Sequence, residues 1–244
     1  MNNTFEINSN FNETFTEDCN IFLHVNNCNE IKYSIKDSNC NVFVFIDVMN
    51  NIDIVENIDI INSNVNFYYI DLNDTNFSFK SNINIYRNSI ANVNTILIGS
   101  NNKKIIFNTT NVEDHSDFEI HNNVIGLEKS DFSLEVIGNI LKKSPYSKCI
   151  QKTHCLSVGE PINMRVLPVL NIDNENVVAS HSLSSGTIDS NILYYLNSRG
   201  FTKAEALKLI VSSFLSLPEN IIDTFKYANI DNLFNRKVES LCLM

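Results

Sequence analysis

From about Asn41 to Leu141 the chain repeats one local pattern, short runs of Phe, Ile, Val and Tyr separated by Asn, Asp and Ser. The runs "NVFVFIDVM", "NVNFYYIDL", "NFSFKSNINIY", "NTILIG", "KKIIF" and "DFSLEVIG" have the length and composition of strands. Several alternate cleanly. Phe77 and Phe79, then Ile83 and Ile85, fall on one face, as do Phe132, Leu134 and Val136, because side chains two apart along a strand point the same way. The pattern predicts many short, half-buried β-strands.

Turn chemistry narrows how they connect. Tight hairpins draw on Asn-Gly or Asp-Gly, which accept positive φ, yet no Gly precedes Gly99 and no Pro precedes Pro145. Asn tolerates the left-handed region better than other residues with a Cβ, and stacked Asn side chains can ladder from rung to rung. Short strands with Asn corners therefore predict a coiled β-solenoid. "NIDIVENIDII", Asn51 to Ile61, repeats locally, although no strict period runs through the chain. An antiparallel sandwich is the competing arrangement.

After His181 the periodicity changes. Thr187 or Asp189 suits a helix N-cap ahead of "NILYYLNS", and Gly200 stands where a left-handed residue closes a helix. Thr202 and Glu205 spell a capping box before "KAEALKLIVSSFL", whose apolar residues recur at helical spacing. Ser216 and Pro218 predict a third helix to about Phe225. The expected organisation is an unassigned, loosely ordered segment at 1–20, a β domain at 21–185 and a small helical domain at 186–244.

Composition then removes whole classes of function. The 244 residues carry 43% hydrophobic side chains, a mean hydropathy of −0.08, and no apolar run near the roughly 20 residues of a spanning helix. The opening "MNNTFEINSNFNETFTEDCN" lacks the basic and apolar regions of a signal peptide, so a cytoplasmic location is expected. A net charge of −10 argues against nucleic acid or an anionic membrane as the main partner. Six cysteines are present, none in a Cys-x-x-Cys spacing, so free thiols are expected rather than a closed zinc site.

An ordered series near the C-terminus carries a resemblance. It comprises Pro168, Leu170 and Ile172, Asp173, Ala179-Ser180-His181, Ile188-Asp189, Tyr195-Leu196, Ser198-Arg199-Gly200 and the amphipathic stretch from Ala204 to Leu215. This order is similar to the C-terminal half of the SufB/SufD family of iron–sulfur cluster assembly proteins, and the likeness extends back to about Gly138. Ser182 stands where the family usually has Gly, and Ala179 and Ser180 replace acidic residues of SufB-like members, which makes the His segment SufD-like. The chain is also shorter than typical members and lacks a match to their N-terminal helical segment.

The resemblance implies a mainly β fold, a right-handed parallel β-helix with a small C-terminal α-helical appendage, dimerised through its last strands. It implies a noncatalytic scaffold subunit handling a transient iron–sulfur cluster, as a homodimer or as a heterodimer with a SufB-like sister. His181 carries over directly as a candidate ligand through its imidazole. Cys155 lies two positions beyond the family's cluster cysteine, on the same strand face, and thiolate is the favoured ligand of such iron. Cys149 shares that parity as a reserve thiol, whereas His154 would face the other way. Cys19, Cys28, Cys40, Cys242, His24, His115 and His121 have no motif support and read as structural or surface residues.

The same resemblance implies that the helical part docks on a SufC-like ABC ATPase through Leu207, Ile210, Val211, Phe214 and Leu215. Part of that stripe is also expected to pack on the chain's own strands. No Gly-x-x-x-x-Gly-Lys-Ser/Thr motif occurs, so nucleotide binding by this chain itself is not expected. Two alternatives stand beside the scaffold: a structural subunit of the same complex without cluster ligands, and a β-helix carbohydrate lyase or hydrolase. The latter requires a paired-carboxylate constellation that cannot be named from the sequence.

Overall fold

A computed structural model describes residues 2–49, 51–99, 101–159 and 163–215, with 236, 237 and 239. Among these the strands are β1 (Asn2–Ile7), β2 (Phe11–Phe15), β3 (Cys19–Val25), β4 (Glu30–Lys36), β5 (Asn39–Ile46), β6 (Ile52–Ile61), β7 (Asn64–Asp71), β8 (Phe77–Ile85), β9 (Ser89–Gly99), β10 (Asn102–Asn111), β11 (Ser116–Leu127), β12 (Asp131–Ile140), β13 (Lys148–Val158), β14 (Asn163–Ile172) and β15 (Val178–Thr187). Helices α1 (Ser190–Ser198) and α2 (Lys203–Phe214) follow. Odd-numbered strands pair in chain order into an eight-stranded sheet, even-numbered strands into a seven-stranded one. The pairings are parallel throughout, as in β1 with β3 and β12 with β14. The chain is a parallel β-helix, and the sandwich arrangement is excluded.

The corners explain why so few glycines suffice. Asp37, Asn62, Asn88, His115 and Tyr146 sit at the same corner of successive rungs, each with φ between 47° and 59°. Each is followed by a buried serine, Ser38, Ser63, Ser89, Ser116 and Ser147. The serines stitch the rungs together: Ser38 N–H donates to Ser63 Oγ at 3.2 Å, Ser63 N–H to Ser89 Oγ at 3.3 Å, and Ser116 N–H to Ser147 Oγ at 3.1 Å. A repeat does exist, but its spacing drifts from 25 residues between Ser38 and Ser63 to 31 between Ser116 and Ser147. A search for a fixed period misses it.

Asparagine also forms the expected ladders. On the eight-stranded sheet Asn20 donates to Asn2, Asn41 to Asn20, Asn66 to Asn41 and Asn92 to Asn66, at 2.9 to 3.1 Å. On the other sheet Asn82, Asn108, Asn139 and Asn171 each donate to the Asn one rung earlier, starting from Asn57, at 2.8 to 3.1 Å. In-register parallel pairing repeats identical side chains every ~4.8 Å, the separation at which an amide donor meets the next amide acceptor.

The two sheets differ on their outer sides. Even strands alternate, as in the buried Phe132, Leu134 and Val136 of β12, because their outer face meets water. Odd strands end in continuous buried runs, such as Val42 to Ile46 in β5. Helix α2 supplies part of the cover, with Val211 and Leu215 fully buried in a second apolar cluster that includes Phe22, Phe43, Tyr68, Ile98 and Ile125.

The helix boundaries follow their capping residues. Asp189 caps α1 by accepting from Asn191 N–H, Gly200 takes φ +96°, and Thr202 with Glu205 completes the capping box of α2. The third helix expected from Ser216 lies outside the described residues. Residues 2–20, for which the sequence shows no assignable pattern, carry β1, β2 and the start of β3, so the expectation of loose order there is corrected. Their rung is short, 18 residues from Asn2 to Asn20, and turn-like Asn and Glu residues interrupt any alternation. No helix among the described residues is long and apolar enough to cross a membrane.

Candidate functional site

The candidate residues converge on the last two rungs of the eight-stranded sheet. In β13 the odd positions point inward: Cys149, Gln151, Thr153 and Cys155 are buried, and His154 is exposed. Register sets Ala179 beside Cys149, His181 beside Gln151, Leu183 beside Thr153 and Ser185 beside Cys155. His181 therefore lies on the inner face of β15, which the described coil leaves uncovered, and it is exposed. Behind it the same column runs through Gln151 and Ile120 to Val93.

Cys155 and His181 share this inner face but do not meet. Four residues separate their register positions, about 13 Å along a strand. Burial pushes the Cys155 thiol up to about 11 and the Cys149 thiol up to about 12, the latter against a hydrogen bond with Thr109 that lowers it. Both stay protonated at neutral pH, and metal binding has to displace the proton. Cys149 is fully buried at a position where β12 makes room: a Cβ on Gly138 would fall 2.4 Å from Cys149 Sγ and 3.0 Å from Gln151 Nε2. His154 faces outward, its Nδ1 2.7 Å from Ser184 Oγ.

Gln151 escaped attention in the sequence. Its Nε2 donates to the Val169 carbonyl at 3.1 Å, and its buried Oε1 has no hydrogen-bond partner among the described residues. The signal was present, since period 2 through "CIQKTHC" puts a glutamine at an inward position between two cysteines. A second thread, Thr95 to Asn122 at 2.9 Å and Asn122 to Thr153 at 3.1 Å, carries polar groups through the interior towards the same end. It terminates beneath Leu183, which is exposed together with Leu167, Ile172 and Val178 of the two final strands.

The apolar stripe of α2 is divided. Val211 and Leu215 are buried against the chain's own sheet, with Leu207 and Phe214 packed on the same cluster and Ile210 half-buried. The exposed apolar side chains of the helical part are Ile192, Tyr194 and Tyr195 of α1, with Phe201 and Leu209. Arg199 lies 5.3 Å over the Tyr195 ring.

The remaining histidines have local partners. His24 bridges Glu6 and Asp47, His115 meets Asp114, and His121 meets Glu119. Cys19, Cys28 and Cys40 are buried, whereas Cys242 lies outside the described residues. No group of three or more His, Cys, Asp or Glu among the described residues is arranged to hold a metal ion.

Comparison with known proteins identifies the family. The family described as "SUF system FeS cluster assembly, SufBD core domain" matches residues 61–214, from the last residue of β6 to the end of α2. A relative, the iron–sulfur cluster assembly protein SufD of Bacillus subtilis (strain 168), is 36% identical over 80 residues. That stretch is 33% of this chain and 18% of the relative.

Proposed function

The chain belongs to the SufBD core family, and from that premise we propose that it is a noncatalytic scaffold subunit on which an iron–sulfur cluster is assembled as cargo. The observation that carries the reading is the last rung, where His181 sits on an uncovered inner face beside a buried, half-satisfied Gln151. A coil end of this kind is completed by another chain. Exposed Ile172 and Leu183, at inner-face positions, supply apolar area, and the edges of β14 and β15, unpaired among the described residues, supply backbone groups.

In this reading the partner is a second copy or a SufB-like sister, and the cargo takes ligands from both chains. His181 contributes imidazole and Cys155 a thiolate, with Cys149 in reserve. His181 on β15 and Cys155 on β13 are offset by four register positions, ~13 Å along the strand direction, which favours ligands drawn from two chains. A SufC-like ABC ATPase docks on the helical part, where Ile192, Tyr194, Tyr195 and Leu209 are exposed. The original stripe adds Ile210, while Val211 and Leu215 hold α2 in place.

The test is anaerobic reconstitution of the chain with its co-expressed partners, iron and sulfide, comparing wild type with Cys155→Ala and His181→Ala. Loss of cluster absorbance in either variant, with the complex intact, supports ligation. Unchanged uptake in both favours the second reading, a structural subunit without ligands, for which the buried and protonated Cys155 speaks. Failure of the chain to co-purify with the ATPase sinks both.

A further inference from the structure

At the opposite end of the coil, two thiols that the cluster chemistry does not use lie against one another. Cys19 of β3 and Cys40 of β5 are register partners on adjacent parallel strands. Both point inward, both are buried, and their Sγ atoms are 3.4 Å apart. Neighbouring strands lie ~4.8 Å apart, inside the ~4.4–6.8 Å between Cα atoms that a disulfide spans. Rotation of the two side chains by a fraction of a rotamer closes the remaining ~1.4 Å to bonding distance.

Access favours the same outcome. Cys19 lines a surface groove of about 180 Å³ together with Asn3, Thr14, Phe15, Thr16 and Glu17. A small oxidant therefore reaches Cys19 from solvent, with Cys40 one layer behind. The Cys40 thiol donates to the Glu17 carbonyl at 3.6 Å and lies 3.7 Å from Ser38 Oγ.

We propose that Cys19 and Cys40 form a peroxide-responsive modification site, which closes to a disulfide between adjacent rungs. In the first step hydrogen peroxide oxidises Cys19: the O–O bond breaks, an S–O bond forms, and one water leaves with a sulfenic acid on the protein. In the second, Cys40 sulfur attacks Cys19 sulfur, the S–O bond breaks, and the departing hydroxide takes the Cys40 proton as a second water. Peroxide receives two electrons and the thiol pair loses them, so the balance is complete. Burial first, and then the Cys40 contact, push Cys19 up to about 12, so oxidation is slow at neutral pH and quickens about tenfold per pH unit as the thiolate fraction grows. A dithiol reductant reverses the step.

The experiment treats the intact chain with hydrogen peroxide at mildly alkaline pH, then maps peptides by mass spectrometry without reduction. The expected result is a peptide linking Cys19 to Cys40, a loss of two titratable thiols per chain, and recovery of both with dithiothreitol. Cys40→Ser, verified as folded by circular dichroism, should lose the linked peptide and leave Cys19 as a sulfenic acid trapped by dimedone, while Cys28→Ser keeps the link. Should Cys40→Ser not fold, the wild-type map decides alone. Absence of the link while Cys19 stays reduced, goes on to sulfinic acid or pairs with another cysteine overturns the proposal. None of these outcomes depends on cluster assembly.

Discussion

The two ends of the coil differ in width and in what fills them. At the first rungs the coil is narrow, 18 residues from Asn2 to Asn20, and Phe5, Phe11 and Phe15 pack edge to face with one another and with Tyr33 at 5.1 to 6.3 Å. At the last rung it is wide, 30 residues from His154 to Ser184, and Leu183, Val178, Ile172 and Leu167 are exposed. A narrow coil can be filled by the side chains it carries; a wide one needs a following layer. The difference teaches that a narrow rung fills itself with its own aromatic side chains, whereas the wide last rung leaves apolar side chains exposed.

The sharpest way to test where stability resides is inside the filled middle rungs. Lys103 and Asp71 form an ion pair at 2.8 Å with both side chains fully buried, and Lys103 also donates to the carbonyls of Asn73 and Ile98. Lys103→Met strands the Asp71 carboxylate and is expected to cost about 3–5 kcal/mol in denaturant unfolding. Replacing Asp71 and Lys103 together by apolar residues should restore most of it.

A pH profile probes the same interior. Glu56 is fully buried and accepts from Tyr33, Tyr69 and Ser81 at 3.0, 2.7 and 2.6 Å. Burial outweighs those three donors and holds its carboxyl above the ordinary 4.5. The folded chain thus keeps the proton to higher pH than the unfolded chain. Its contribution to stability is fully present below pH 4.5 and declines as pH rises through the window up to the raised value. Glu56→Gln should flatten that decline, read as the unfolding midpoint between pH 4 and pH 8.

The smallest expected effect on the chain itself is at the open end. Leu183→Ser should change unfolding free energy by about 0.5 kcal/mol or less, since the side chain is exposed. It should nonetheless weaken association with a partner chain, measured by sedimentation. A large loss of stability in the isolated chain would show that the end is closed after all.

Much of this was legible in the residues. Alternation in "DFSLEVIGNI" marked β12, Asn-rich corners marked a coil, and Thr202 with Glu205 marked the start of α2. The series from Pro168 to Leu215 marked the family. What escaped had physical causes. The serine corners drift in spacing because each rung is longer than the one before, and β1 and β2 are too short and polar to alternate visibly. Gln151 went unremarked because its partner across the coil, the Val169 carbonyl, is 18 residues away in sequence.

By itself the sequence determined the local terms: strand faces from period 2, corners from residues that tolerate positive φ, helix ends from capping side chains. Only the tertiary structure decided which strands became neighbours, and so which side chains share a site. Register between rungs put Cys19 against Cys40, set His181 over Gln151 and kept Cys155 four residues away. It also turned the stripe of α2 onto its own sheet and left α1 exposed. The reason is that rung-to-rung contacts join residues 18 to 32 apart, beyond the reach of any local pattern, and the length of each turn of the coil fixes which of them meet.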